Sequence, residues 1–257
     1  MANATYSTEA LVLRKTNLGE SDLIVRMMGP SGSLIEGVAK GARRPQGSLS
    51  GRVELFNRVE VHCAKGRSLD VIKEARLIRA GQNLHVDPAH GAAAACIAEF
   101  ASRTIQPDLE VRSYFDLTDA AFSAADASDG RMLPLVVAAY VFKASAMMGM
   151  RPSFSRCVLC GAELPPDVKS HLSYIDGGFV CDGCAGTSET VAIGSNILLW
   201  ADMLLRSTFA EILEGTKDAE GDVPTVELLQ IADQWAISQA EVRMRSAATL
   251  LSYISML

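Results

Sequence analysis

The sequence predicts an α+β protein in which a small β-barrel precedes a mainly α-helical body. Residues 1–80 contain five short runs rich in β-branched residues and separated by glycine-containing turns. Residues 81–257 instead contain long apolar patterns with helical spacing. Two Cys-x2-Cys motifs lie within the helical part, and they predict an inserted metal-binding segment over residues 154–187. We therefore expect two domains, over 1–80 and 81–257.

The predicted strands follow one another closely in the first domain. They cover Glu9–Arg14, Asp22–Met28, Ser33–Ala39, Val53–Cys63 and Leu69–Ile78. Turn signals separate them, at Gly29–Pro30, Gly32, Gly47 and Gly66. Five short strands in so short a stretch favour a closed barrel, because closure removes exposed strand edges. An SH3-like barrel fits the same pattern.

Alanine-rich helical patterns begin after Gly81–Gly91. Asp87 and Pro88 predict a helix start, as the N-cap and the first helical residue. The apolar segment Met132–Met150 contains Lys143 in its middle, which favours a buried helix over a membrane span. An acidic loop is expected over Gly215–Pro224. The predicted helices are Ala92–Ile105, Arg112–Ala125, Leu133–Met148, Ser195–Thr208, Thr225–Ser238 and Ala240–Ile254.

Charge is distributed unevenly along the chain. The net charge of −6 divides into +5 for residues 1–80 and −11 for residues 81–257. A basic segment of this kind suggests a surface for nucleic acid or another polyanion, although ordinary scatter of charge gives the same asymmetry. Within residues 37–53 the only charged side chains are cationic: Lys40, Arg43, Arg44 and Arg52. Arg14 and Lys15 can extend this candidate DNA-binding set. Since the segment offers few aromatic residues for base stacking, affinity would rest mainly on charge.

The cysteines form the strongest local signal, with the spacing Cys157-x2-Cys160-x20-Cys181-x2-Cys184. Four thiolates at this spacing predict a tetrahedral zinc site. Such a site is closed, which favours a structural zinc ion over one that catalyses hydrolysis. His171 is not needed as a ligand. Two redox-active thiol pairs are the alternative, but no thioredoxin-like context surrounds them. Cys63 and Cys96 are expected to be buried as small apolar residues.

Catalytic motifs are missing from the sequence. It has no P-loop, no G-x-S-x-G or H-E-x-x-H motif and no Rossmann glycine pattern, and its four histidines are scattered. We therefore expect a protein that is not an enzyme. The N-terminal residues lack the basic and apolar regions of a secretory signal, so a cytoplasmic location is expected.

The order of several short motifs resembles the RecO family of bacterial DNA repair proteins. The motifs are Gly19-Glu20-Ser21-Asp22, Gly32-Ser33-Leu34, Lys40-Gly41-Ala42-Arg43-Arg44, Ser48-Leu49-Ser50-Gly51, Gly66-Arg67-Ser68-Leu69, the four cysteines, and Arg243-Met244-Arg245-Ser246 before the last helix. The resemblance implies that the barrel is an OB-fold. Family members often have Pro-Phe where this chain has Leu55-Phe56-Asn57, so no DNA contact is assigned there.

The resemblance also implies a function. It implies binding of single- and double-stranded DNA, annealing of complementary strands, and help in loading RecA onto DNA coated with the single-strand-binding protein. RecR and the tail of the single-strand-binding protein are the implied partners, in a cytoplasmic, nucleoid-associated setting. The implied DNA contacts are Lys40, Arg43, Arg44 and Arg52, and the implied ligands of one structural Zn²⁺ are the four cysteines. A zinc-ribbon scaffold that binds only proteins is the alternative.

Overall fold

The N-terminal part folds as a closed five-stranded barrel. The computed structural model describes residues 4–44, 47, 49–106, 110–164, 169–217 and 222–256. The barrel strands are β1 (Thr5–Leu18), β2 (Asp22–Met28), β3 (Leu34–Ala39), β4 (Arg58–Ala64) and β5 (Asp70–Arg79). They follow the order β1-β2-β3-β5-β4, and β1 pairs with β4 to close the barrel. Only the β3–β5 pair is parallel. This arrangement is the OB-fold rather than an SH3-like barrel.

Strand β1 contributes to two hydrophobic cores. Successive residues of a strand point to opposite sides, so Ala10 and Val12 fill the barrel interior. Leu11 and Leu13 point outward and are buried against the helices. The outer face of β1 is therefore covered by the helical part of the chain.

Strand β4 begins later than the sequence predicts. A short 3-10 helix at Gly51–Val53 occupies the start of the predicted Val53–Cys63 strand. Phe56 then adopts a φ of 67°, and its ring packs against Phe122 at a centroid distance of 5.7 Å. Because the Phe56 ring is drawn into the helical core, its backbone cannot stay extended.

Eight α-helices are described in the remainder of the structure. They are α1 (Gln82–Val86), α2 (Pro88–Thr104), α3 (Arg112–Ala127), α4 (Leu133–Met147), α5 (Ser195–Arg206), α6 (Phe209–Gly215), α7 (Thr225–Ala240) and α8 (Arg245–Ile254). Helix α4 is buried along almost its whole length, and α2, α3, α5 and α7 pack around it. Among the described residues, no helix is both long and apolar enough to cross a bilayer.

Local chemistry explains where these helices begin and end. Asp87 accepts hydrogen bonds from the backbone of Ala89 and His90, which confirms it as the N-cap of α2. The predicted Ser195–Thr208 helix ends at Arg206, because Thr208 forms a capping box with Glu211 and starts α6. The prediction that the last helix starts at Ala240 is wrong. Glu241 has a left-handed φ of 55° and ends α7, so α8 starts at Arg245.

Other sequence predictions concern single residues or loops. Cys63 and Cys96 are buried, as expected. Lys143 donates hydrogen bonds to the carbonyl groups of Leu205 and Ser207, and burial lowers its pKa to about 8. Residues 218–221 of the expected acidic loop lie outside the described part of the chain.

The barrel and the helices meet in close contact. Asp119 of α3 forms ion pairs with Arg58 of β4, at 2.7 Å, and with Arg79 of β5. Gly32, between β2 and β3, has a φ of 80°, and a Cβ there would lie 2.2 Å from the carbonyl oxygen of Val111. Glycine is required at this position because both the backbone angle and the contact with the helical part exclude a side chain.

Candidate nucleic-acid interface and metal centre

The basic segment after β3 forms a turn that is tied to the β1–β2 turn. The Gly41 backbone N–H donates to Asp22 Oδ1 at 2.8 Å, and the Arg43 N–H donates to the Ser21 carbonyl at 3.0 Å. The pKa of Asp22 is lowered, first by the Gly41 N–H and then by the Ser21 hydroxyl, with nearby Lys40 and Arg44 adding to the effect. The carboxylate of Asp22 thus fixes the position of the cationic turn.

Three of the predicted DNA-binding residues, Lys40, Arg43 and Arg44, are exposed on this turn. The Arg43 guanidinium donates to the carbonyl oxygens of Gly19, at 3.2 Å, and Glu20, at 3.1 Å. In the described part of the chain, the side chains of Lys40 and Arg44 form no hydrogen bond or ion pair, although both lie in the field of Asp22. We call Lys40, Arg43 and Arg44 the turn cations.

The other three predicted residues lie elsewhere. Arg52 is exposed, and its guanidinium donates to the Ala75 carbonyl of β5 at 3.2 Å. Lys15 is half-buried and forms an ion pair with Glu54. Arg14 is exposed and has no ion pair within the described residues. The structure therefore groups three of the six predicted cations and occupies Arg52 and Lys15 with intramolecular contacts.

A second group of cations, which the sequence did not single out as a site, surrounds Arg14. Arg26, Arg103, Arg243 and Arg245 line the same cleft between the barrel and the helices. These residues come from β2, α2 and the segment around the start of α8. Only the Arg243–Arg245 motif gave a sequence signal, since the others are far apart in the chain.

The four cysteines of the predicted metal site come together. Their Sγ atoms all lie within 4.8 Å of one another, and the Cys160 and Cys181 sulfurs are 3.6 Å apart. A tetrahedral site with metal–sulfur bonds of about 2.3 Å has sulfur–sulfur edges of about 3.8 Å. Cys157 and Cys160 flank one tight turn, and Cys181 and Cys184 flank a second turn after strand β7 (Gly178–Val180). This donor set can hold a metal ion.

The thiols of this cluster influence one another's protonation. Burial raises the pKa of Cys157, but backbone N–H groups of Cys181, Cys160 and Leu159 more than offset it, and the pKa falls to about 6. Hydrogen bonds from the Cys184 thiol to the sulfurs of Cys181 and Cys160 raise its pKa to about 12. Neighbouring thiolates repel one another, and a bound cation would favour their ionisation.

The segment that carries the cysteines is anchored in the main core. Phe154 packs on Phe142 and Trp235, at centroid distances of 4.9 and 6.1 Å. The segment contains a small sheet that the sequence analysis missed, in which β6 (Lys169–Ser173) pairs with β7 and with β8 (Val191–Gly194). His171 lies on β6 and its Nε2 is 3.1 Å from Asp182 Oδ1, so this ring is already paired.

Comparisons with known proteins agree with this architecture. Residues 1–80 match the family described as Recombination protein O N terminal, and residues 85–201 match Recombination protein O C terminal. The DNA repair protein RecO of Bifidobacterium longum (strain DJO10A) is 32% identical over 207 residues, which are 80% of this chain and 84% of that protein. The DNA repair protein RecO of Bifidobacterium adolescentis is 30% identical over 247 residues, 95% of this chain and 98% of the relative. The RecO protein of Roseiflexus sp. (strain RS-1) is 30% identical over 189 residues, 74% of this chain and 65% of the relative.

Proposed function

Because this chain belongs to the recombination protein O family, which acts in recombinational DNA repair, we propose that it binds single- and double-stranded DNA and anneals complementary strands. We further propose that this chain helps to load RecA onto DNA coated with the single-strand-binding protein. Its direct partners in this proposal are RecR and the tail of the single-strand-binding protein. The observation that carries the proposal is the group of exposed turn cations on an OB-fold barrel.

The turn cations have distinct roles in this proposal. Among the described residues, the side chains of Lys40 and Arg44 have no hydrogen-bond or ion-pair partner and can contact phosphates. Arg43 holds the turn against the carbonyl groups of Gly19 and Glu20. Annealing needs no catalytic group, because base pairing supplies the favourable energy once phosphate repulsion is screened. The protein therefore acts as a binding protein and not as an enzyme.

The cysteine cluster is proposed to hold one structural Zn²⁺ through Cys157, Cys160, Cys181 and Cys184. Zinc fits because all four donors are sulfur and their spacing matches a tetrahedron. Bound there, the ion would offset two of the four thiolate charges and would leave no open position for water. Metal analysis of the purified protein should find about one zinc per chain. Reversible disulfide cycling without metal would instead indicate a redox role.

The DNA-binding proposal is tested with the variant Lys40→Glu/Arg44→Glu. Each phosphate contact to a single strand contributes about 0.7 to the slope of log affinity against log salt. Losing two contacts should reduce the magnitude of that slope by about 1.4 and weaken binding at low salt. Arg112→Glu is a control, since Arg112 is exposed at the start of α3 and does not belong to the cationic turn.

Two outcomes would contradict the proposal. An unchanged affinity and slope for Lys40→Glu/Arg44→Glu would remove the turn cations from DNA binding. Failure of the wild-type protein to bind DNA at low salt would favour the zinc-ribbon scaffold that binds only proteins.

A further inference from the structure

We propose that a second polynucleotide-binding site lies in the cleft between the barrel and the helices, where Arg14, Arg103, Arg243 and Arg245 converge. We call these four residues and the space between them the junction cleft. The inference rests on the proposed DNA binding and extends it, because it assigns a path from the turn cations along the β1–β2 hairpin and onto the helical part.

The junction cleft lies between separate parts of the chain. It consists of two cavities of about 360 and 440 Å³ that share Arg14, Ser102 and Arg103 in their walls. Arg243 and Arg245 line the first cavity, and the buried side chains of Leu13 and Phe56 contribute to the same wall. Arg26 and Glu241 line the second.

Within the described part of the chain, positive side chains outnumber negative ones in the lining of the junction cleft. Among the described residues, Arg14, Arg103, Arg243 and Arg245 form no ion pair, although Arg243 lies in the field of Asp233. The acidic side chains that line the cleft are Glu99 and Glu241. Glu99 is already engaged, because it accepts hydrogen bonds from the Ser246 hydroxyl at 3.0 Å and the Ser246 N–H at 3.3 Å.

Two of these cations occupy positions that weaken the fold. Arg14 lies directly opposite Arg26 in the β1–β2 register, where like charges repel, and the ion pair of Arg26 with Glu36 at 3.4 Å offsets only part of this repulsion. Arg245 is the first residue of α8, where the positive end of the helix dipole disfavours a cation. An anion bound in the cleft would relieve both repulsions. Side chains that oppose local stability in this way are expected at functional sites.

The geometry favours a polynucleotide over a small anion. The β1–β2 hairpin leads from Arg14 to its turn at Gly19, whose carbonyl group accepts a hydrogen bond from Arg43. Five residues of strand span about 16 Å, which corresponds to about five base-pair steps along the axis of a duplex. One backbone can therefore contact the turn cations and the junction cleft together.

The full chain carrying Arg103→Gln/Arg243→Gln/Arg245→Gln tests the site by fluorescence anisotropy. The probe is an oligothymidine of about 30 nucleotides, longer than the roughly 4–16 nucleotides that one OB-fold covers. Three lost contacts should reduce the magnitude of the salt slope by about 2.1. The ratio of the wild-type DNA affinity to the variant DNA affinity should then fall about 20-fold when the salt concentration is raised from 50 to 200 mM. Combination with Lys40→Glu/Arg44→Glu should lower the slope further.

Control variants separate charge from packing. The triple lysine variant Arg103→Lys/Arg243→Lys/Arg245→Lys should keep the wild-type slope, and so should Arg112→Gln. Circular dichroism melting of each variant checks that the fold is retained, which is expected because all four arginines are exposed.

The outcomes distinguish this inference from the proposed function. A wild-type slope in the glutamine variant, together with weakened binding by Lys40→Glu/Arg44→Glu, would overturn the junction cleft and leave the proposed function intact. Absence of DNA binding by the wild-type protein would overturn both. If the glutamine variant loses binding of a polyglutamate peptide but keeps its DNA slope, the occupant is an acidic peptide and the inference is wrong.

Discussion

Removal of the Asp119 carboxylate should loosen the attachment of the barrel to the helices. Asp119 lies on α3, and it pairs with two arginines of the barrel, Arg58 and Arg79. Its side chain is 16% exposed, and those of Arg58 and Arg79 are 29% and 30% exposed. The variant Asp119→Ala leaves both guanidinium groups at the junction without this partner.

The expected cost follows from these partners and their exposure. Fully exposed ion pairs contribute about 0.2–1 kcal/mol each, whereas hydrogen bonds to charged groups contribute about 1.5–3 kcal/mol when they are shielded from water. The Asp119 pairs lie between these limits, so each is assigned about 1 kcal/mol. Arg58 keeps its ion pair with Glu9, which limits the total loss to about 2 kcal/mol.

Thermal unfolding followed by circular dichroism measures this loss. For a chain of this size, about 2 kcal/mol corresponds to a decrease in Tm of about 4–8 °C. Asp119→Asn should cost less, because an amide oxygen still accepts hydrogen bonds. Asp116→Ala is the matched control, since Asp116 is exposed on the same helix. If Asp119→Ala and Asp116→Ala unfold at the same temperature, the ion pairs of Asp119 with Arg58 and Arg79 do not stabilise the contact between the barrel and the helices.

Three further predictions concern other parts of the molecule. Asp22→Ala should speed hydrogen exchange at Gly41, because the Asp22 carboxylate accepts a hydrogen bond from the Gly41 N–H. Since the Asp22 pKa is lowered from 3.8, the stability that this carboxylate contributes is present above pH 3.8 and is lost as the pH falls through the lowered pKa. The free energy of unfolding, measured with denaturant, should rise between pH 8 and 10.5 in the wild-type protein relative to Lys143→Met. In this pH range Lys143 is protonated in the unfolded state but largely deprotonated in the folded state. Chelation of metal should increase the hydrogen-exchange rate over residues 157–184 far more than in α4. Equal increases would contradict a role for the metal that is limited to the cysteine segment.

Features with a local signature could be predicted from the sequence. The Cys-x2-Cys pairs fix two thiols on each tight turn, and their convergence needs only that the two turns meet. Strand β2 matches its predicted bounds, because alternation of buried residues marks its length. Asp87 was identified as an N-cap because its hydrogen-bond partners, the N–H groups of Ala89 and His90, lie only two and three residues after it.

Features that depend on distant partners could not be predicted. Lys15 pairs with Glu54, and Arg52 donates to the backbone of Ala75. These contacts engage both side chains within the protein, whereas residue type alone gave no reason to exclude them as candidates. The late start of β4 has a similar origin, because Phe56 leaves the strand to reach Phe122 on a distant helix.

The junction cleft shows why charge counted along the chain is a poor guide to a binding surface. Residues 81–257 carry a net charge of −11, which suggests that DNA avoids them. Yet Arg103, Arg243 and Arg245 belong to that part, and the fold places them beside Arg14 of the basic part. The late start of α8 contributes to this arrangement, since Glu241 ends α7 and leaves Arg243 in a non-helical segment that lines the cleft. The field that a phosphate meets depends on which side chains converge in space, so we expect the acidic remainder of the surface to restrict a polynucleotide to the barrel and the proposed junction cleft.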